Sequence, residues 1–361
     1  MNAANDGANI NNNGNLPPER MLRDRLELLE LSDRKLLRQY RFPRAMIIEL
    51  INRLTPSMER AREDSIPVAT QVLGCLRLLA SGSFQEVIGD VVGVSQASMS
   101  RILHSFLNAM LPYREEYIFL PLENDYWVRR TKTQFREKAN IGGVLGAIDG
   151  SQICIKQPHV DGETYINRKG LPAINVQIVA DMQRIIRDIV AMYPGSTHDC
   201  FIYNNCGLKA RLAEWDGQGF LVGDSGYGLD MRVLTPLRQP ANMQEENYNV
   251  ALSRTRIVVE HVNGLLKMEF RILDKSGGFM QYDPLTCCHI IVVCAMLHNK
   301  RRMHNLELAD DEVGLNNGAD NSDSDSSDTS SSSSDDDDDA PLSAIQMRQR
   351  IIQSFPADHS I

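Results

Sequence analysis

The apolar spacing changes character once along this chain, and that change limits the folds open to it. From Arg20 to about Tyr117, apolar residues such as Met46, Ile47, Leu50, Ile51 and Leu54 return every three or four positions, the period of helices packed on one face. From about Gly142, short β-rich runs separated by Gly, Asp and Pro take over, with helical patterns returning near Phe201 and Asn247. An all-α unit followed by an α/β unit is the expectation. With 361 residues there is chain enough for two compact units and tails.

The ends read differently. Residues 1–18 are rich in Asn and Gly and close on Pro17-Pro18, with too few apolar groups to offset ordering entropy, and are expected to be disordered. Residues 305–361 carry 14 acids against Arg348 and Arg350 alone, including the block Asp335 to Asp339. The formal charge of −9 therefore belongs to this tail, and the rest of the chain is mildly basic at +3, so a nucleic-acid partner is not excluded. A last amphipathic stretch, Ile345 to Phe355, is expected to form a short helix. The seven cysteines sit mostly in apolar runs without repeated spacing, which points to a reducing compartment. The greasy run Ile290 to Leu297 stops at His298, short of a bilayer span, so no membrane partner is expected.

Within the helical part, Pro67 suits the start of one helix. Ser83 and Glu86 have capping-box spacing for a second, with Phe84, Val87, Ile88 and Val91 expected inward. Gly93 then ends it and Ser95 caps a third, with Met99, Ile102, Leu103 and Phe106 inward and Gln96, Ser98, Ser100, Arg101 and His104 outside. This is helix-turn-helix spacing, in which Gln96 and Arg101 are placed to touch DNA. A plain three-helix bundle uses the same caps.

Several acids stand where a rigid element could aim them. Asp149 follows the run Val144 to Ile148 and precedes Gly150, so it sits on a strand or in an Asp-Gly hairpin turn. Asp181 is most simply a turn residue between strand-like runs Asn175 to Ala180 and Ile185 to Met192. Asp199 either satisfies amides at a helix start or serves a site. Asp224, between glycines after the short strand Phe220 to Val222, lies where a phosphate can approach the backbone. Arg256, Glu260 and Lys267 share one face of a helix running from about Asn249 to Phe270, as an ion-pair stripe or as part of a site. Glu245 and Glu246 read as a polar loop. Cys294 and His298 have zinc-ligand spacing, but their apolar setting suits core cysteines better. Hard divalent cations that assist phosphodiester hydrolysis need several such carboxylates together.

Four phrases come in an order that resembles the PIF/Harbinger-type transposases and the nucleases derived from them: Ile148-Asp149-Gly150, Pro194 through His198-Asp199, Gly223-Asp224-Ser225-Gly226-Tyr227, and Arg254 through Glu260 to Lys267. The resemblance spans about Gly142 to Asn299 and implies an RNase H-like DDE endonuclease. One acid lies on the first strand, one after the fourth and one on a later helix, stations that Asp149, Asp224 and Glu260 fit, with 35 residues between the last two. Related bacterial insertion-sequence enzymes carry Tyr-x2-Arg-x3-Glu-x6-Lys here. Arg256, Glu260 and Lys267 match it, while Ser253 stands at the Tyr position and leaves that residue's part in DNA handling open.

The resemblance implies catalysis by Asp149, Asp224 and Glu260, with Asp199 as a further metal ligand oriented by His198. It implies Mg²⁺ or Mn²⁺ as cofactor, and Arg256 and Lys267 on flanking phosphates. It also implies DNA and a Myb/SANT-like DNA-binding protein as partners, a nuclear location that leaves room for the cytoplasm, and room for a homo-oligomer. The expected organisation is α + α/β: disordered 1–18, a helix-turn-helix-like DNA-binding unit at 19–120, the RNase H-like nuclease at 121–302 and the acidic Ser/Asp-rich tail at 303–361. The alternative is a domesticated, catalytically silent DNA-binding or chromatin-associated protein.

Overall fold

The computed structural model describes residues 31–59, 65–306 and 340–357. The expectations for residues 1–18, for the start of the helical pattern at Arg20 and for the block Asp335 to Asp339 lie outside the described residues.

Five helices come first: α1 (Asp33–Tyr40), α2 (Arg44–Met58), α3 (Val68–Ser81), α4 (Gln85–Val92) and α5 (Gln96–Met110). α3 is their hub, with Val72, Cys75, Leu76, Leu78 and Leu79 fully buried. The expected capping box at Ser83 and Glu86 does not form. α4 instead opens after Phe84 with no side-chain cap, and the Ser83 amide donates to Ser81 Oγ. Its inward face also differs from expectation, since Phe84, Val87 and Val91 are 75%, 51% and 38% exposed while Ile88 and Val92 are buried. The cause is the turn into α5. The Val94 amide donates to the Gly89 carbonyl, and a Cβ on Gly89 would lie 2.6 Å from Val94 O. This close approach sets the Ile88, Gly89 and Val92 stripe against the neighbouring helices. Ser95 caps α5 by accepting from the Ser98 amide at 3.2 Å, and Gln96, Arg101 and His104 are exposed on it.

After the short α6 (Arg114–Tyr117) and α7 (Asp125–Ala139) comes a five-stranded sheet. Its strands are β1 (Val144–Cys154), β2 (Ala173–Ala180), β3 (Ile186–Pro194), β4 (Phe220–Val222) and β5 (Val233–Leu234). The order is β3-β2-β1-β4-β5, with β1, β2 and β3 antiparallel and β4 and β5 parallel to β1. Asp149-Gly150 is not a hairpin turn, because β1 runs straight through it with Asp149 opposite Ile178 and Gly150 opposite Gln177. The turn is at Asp181, whose Oδ1 accepts from the Gln183 and Ile185 amides and whose Oδ2 pairs with Arg187 at 2.7 Å.

One sheet face shares an apolar cluster with the early helices, α10 (Met243–Glu269) and α11 (Pro284–Met303). The other packs Leu145, Ile148, Val179 and Leu221 against α8 (Asp199–Asn204) and α9 (Gly207–Glu214). α10 begins earlier than its apolar pattern suggests. Asn242 accepts from the Glu245 amide while Glu245 accepts from the Ala241 amide, a reciprocal cap that turns the expected loop into helix. The last helix, α12 (Leu342–Gln353), lies on the start of α10. There Gln244 and Asn247 donate to the Phe355 and Pro356 carbonyls, and the Tyr248 and Phe355 rings meet edge to face. Among the described residues, no helix is long and apolar enough to cross a membrane.

A buried polar clasp ties these parts together. Glu269, at the end of α10, pairs with Arg301 at 3.3 Å and with His298 Nδ1 at 2.7 Å. Arg41 donates to the Glu269 carbonyl, and Arg301 donates to the Arg41 carbonyl. His298 Nε2 is taken by the Arg184 carbonyl, so both ring nitrogens are committed to the clasp rather than to a metal. Burial opposes ionisation of Glu269, yet His298 and Arg301 hold its carboxyl below the usual range. Removing one partner of such a group leaves buried charge uncompensated. Glu269→Ala is therefore expected to lower unfolding free energy by ~3–5 kcal/mol in urea denaturation. Glu260→Ala, at a carboxylate whose side chain is 49% exposed, should change it by less than about 1 kcal/mol.

Candidate active site

Four elements bring acids to the C-terminal end of the β1–β4 pair. β1 supplies Asp149, whose side chain is only 16% exposed. α10 crosses beside it. Asn263 Nδ2 donates to Asp149 Oδ2 at 2.9 Å, and Arg256 lies 3.5 Å from Asp149 Oδ1 and 3.3 Å from Glu260 Oε1. Arg256, Glu260, Asn263 and Lys267 fall at i, i+4, i+7 and i+11, one stripe of the helix. The Arg256 guanidinium thus points into the acids, and Lys267 is half-buried further along the stripe.

β4 ends at Val222, and Asp224 follows with its Oδ1 accepting from the Gly226 amide at 2.9 Å. The buried Tyr227 ring packs under this turn, close enough that a Cβ on Gly223 would lie 2.9 Å from it. Asp199 enters from the start of α8 and is oriented by Asn175, which donates to its Oδ1 at 2.8 Å and to the Thr197 carbonyl at 2.9 Å. His198 does not orient it as expected. Its Nδ1 instead takes a 2.9 Å hydrogen bond from Arg168.

Gly150 makes the approach of Asp199 to β1 workable, since a Cβ there would stand 2.6 Å from Asp199 Oδ1. Any other residue would push the carboxylate away. At Gly226 a Cβ would lie 3.1 Å from Asp224 Oδ1 and 3.5 Å from Asp199 Oδ2, so these two carboxylates flank one bare backbone position.

Charge accumulates as a result. Burial pushes the Asp149 carboxyl up to about 7, Arg256 opposes that, and the like charges of Asp224, Asp199 and Glu260 add to it. Burial and Asp224 likewise raise Asp199 against the Asn175 hydrogen bond. Burial, then Asp199, Asp149 and Asp224, raise Tyr227, which places its phenol within the field of all three.

Among the described residues, no group of three or more His, Cys, Asp or Glu side chains is assembled as a metal cage. The acids are neighbours, with the Arg256 guanidinium between Asp149 and Glu260. The donor set nonetheless fits a hard divalent cation, because every candidate ligand is a carboxylate oxygen. Buried Arg256 Nε, Asn263 Oδ1, Asn175 Oδ1 and Tyr227 Oη also lack hydrogen-bond partners around the acids, as groups facing a hydrated ion would.

Asp149, Asp224, Asp199, Glu260 and Arg256 are therefore gathered at one place. Gln96 and Arg101 are elsewhere, on α5, where Arg101 donates to Ser98 of its own helix. Sequence reasoning missed Asn263, although it extends the stripe of Arg256 and Glu260. It also missed Asn175 and Arg168, for which only strand register and loop packing provide the link.

The chain is similar to known proteins over much of its length. Residues 148–299 match a family described as DDE superfamily endonuclease. The protein named "Putative nuclease HARBI1" in Bos taurus is 35% identical over 293 residues, covering 80% of this chain and 84% of that one. Its Homo sapiens counterpart is 34% identical over 288 residues, covering 79% and 82%. "Protein ALP1-like" of Arabidopsis thaliana is 26% identical over 246 residues, covering 63% and 59%. No solved structure gives a significant match.

The raised Asp149 carboxyl has a measurable consequence in metal-free buffer. The folded protein holds that proton up to about 7, whereas the ordinary value is 3.8, so this group costs stability as pH rises through that window. Asp149→Asn should match wild type below pH ~4 and exceed it by ~1–3 kcal/mol above pH ~7. Parallel stability curves across that range would show instead that the carboxyl is not strained.

Proposed function

The chain belongs to the Harbinger transposase-derived nucleases that carry a DDE superfamily endonuclease domain, and from that premise we propose a divalent-metal-dependent endonuclease acting on DNA phosphodiester bonds. The observation that carries the reading is the meeting of Asp149 from β1, Asp224 from the end of β4 and Glu260 from α10, close enough that Asp149 feels the other charges. The sheet order, with β4 and β5 parallel to β1, supports an RNase H-like nuclease unit at 121–302.

Asp149, Asp224 and Glu260, with Asp199 beside them, would hold Mg²⁺ or Mn²⁺. Bound there, such ions supply an activated water and steady the leaving oxygen in an in-line two-metal displacement. The chain's own residues prepare the place. Asn263 fixes the Asp149 carboxylate, Asn175 aims Asp199, and Gly150 and Gly226 keep side chains out of the space between the acids. Arg256 balances Asp149 and Glu260 and is positioned to exchange that pairing for a substrate phosphate, with Lys267 further along the strand's path. The exposed face of α5 at Gln96 and Arg101 supports reading 19–120 as a helix-turn-helix-like DNA-binding unit. A Myb/SANT-like partner, a nuclear location, a homo-oligomer and an acidic solvating tail complete the proposal.

One observation favours a second reading. The Arg256 guanidinium already bridges Asp149 and Glu260, which suits a catalytically silent DNA-binding or chromatin-associated protein that keeps the fold. Supercoiled-plasmid nicking decides between them. The nuclease reading expects Mg²⁺- or Mn²⁺-dependent nicking that falls to background in Asp149→Ala, Asp224→Ala and Glu260→Ala, and in part in Asp199→Ala, with unfolding still cooperative. Asp224→Ala nicking at the wild-type rate, or no nicking by wild type that still binds DNA, contradicts it. Arg101→Ala should weaken DNA binding without changing sequence preference, as a phosphate contact does.

A further inference from the structure

Beside the loop that carries Asp199, a small hairpin offers cationic groups that the mechanism above does not use. Residues Asn167 to Gly170 form a tight turn. The Gly170 amide donates to the Asn167 carbonyl, Gly170 has φ 74°, and buried Asn167 accepts from the Lys169 and Leu171 amides through Oδ1. The turn is therefore stiff, and it presents Arg168 and Lys169 outward. Its stem is joined to the loop that carries His198 and Asp199, because the Ser196 amide donates to the Thr164 carbonyl and a Cβ on Gly195 would lie 2.6 Å from Tyr165 O.

Arg168 ends within hydrogen-bond distance of His198 Nδ1 at 2.9 Å, and both side chains are exposed. A guanidinium can only donate, so Nδ1 accepts and the ring hydrogen lies on Nε2. The pair then offers one guanidinium charge with N–H groups to spare and a neutral N–H beside it. A bidentate-capable cation next to a second donor is the chemistry that grips a phosphodiester. An anionic strand also needs countercharge where it passes carboxylates, and Arg256, which pairs with Asp149 and Glu260 until a phosphate takes it, is a single cation beside four acids.

We propose that Arg168 and His198 form a phosphate-gripping pair that seats a nucleic-acid strand on the Asp199 side of the acid cluster. The inference rests on the reading of the chain as a DNA-processing protein and adds the side from which the strand is held. A guanidinium that only balanced Asp199 would leave DNA binding untouched.

The test uses the full chain, a labelled duplex of about 30 base pairs and Ca²⁺ to allow binding without turnover, with affinity followed from about 50 to 200 mM salt. Arg168→Gln is expected to weaken binding about 3- to 10-fold at low salt. It should also lower the slope of log affinity against log salt by about 0.9, one phosphate contact, at an unchanged melting temperature. Arg168→Lys should restore the slope but not the whole affinity, since it keeps the charge and loses the planar fork. His198→Ala, which removes only a neutral donor, should weaken binding with the slope intact. Wild-type affinity and slope in Arg168→Gln overturn the proposal. Should Arg168→Gln fail to fold, wild-type affinity in His198→Ala overturns it. A slope loss in a chain that never nicks plasmid would sink the nuclease reading and leave this one standing. Normal nicking with an unchanged slope would do the reverse.

Discussion

Four carboxylates held near one another by a buried sheet repel, and the local design around Asp149 answers that repulsion. The sheet cannot relax it. β1 is paired on both edges, and its two faces are packed against helices, so Asp149 stays where the register puts it. Asp224 is tied to its turn by the Gly226 amide and Asp199 to β2 by Asn175. What remains adjustable is countercharge, and Arg256 supplies it from α10. A cation or a phosphate arriving at the site changes that balance first.

The polar clasp at Glu269 gives α10 the rigidity this requires. α10 is 27 residues long and carries Arg256, Glu260 and Asn263 on one stripe. Its far end is locked by Arg41, His298 and Arg301, and its near end by the reciprocal Asn242 and Glu245 cap and by α12. The stripe is thus aimed by contacts at both ends of the helix rather than by the acids, whose mutual energy alone would turn Glu260 away. Two cationic groups then lie near the acids, Arg256 on the helix and Arg168 in the β1–β2 connection, where its charge reaches Asp199.

Much of this was legible in the residues. Apolar periodicity located the strands and most helices because burial on one face imposes it, and the order of the acid phrases put Asp149, Asp224 and Glu260 on strand, strand end and helix. Local pattern misled where a close backbone approach prevails. The Gly89 and Val94 contact turned Phe84, Val87 and Val91 outward, and Gly150, which could equally have been half of a hairpin turn, is a gap in β1 that admits Asp199. Asn263 was readable from helix spacing. Asn175 and the Arg168 and His198 pair were not, because strand pairing and a loop contact bring them from 24 and 30 residues away.

Direct Mn²⁺ binding by the full chain, followed as loss of the free-ion electron paramagnetic resonance signal, tests whether the strained acids form a divalent-cation site without requiring turnover. Such a site takes up Mn²⁺ saturably in wild type, displaced by Mg²⁺ and accompanied by a higher melting temperature, with uptake lost in Asp224→Asn. Equal Mn²⁺ uptake by wild type and Asp224→Asn, or none by either, would contradict it.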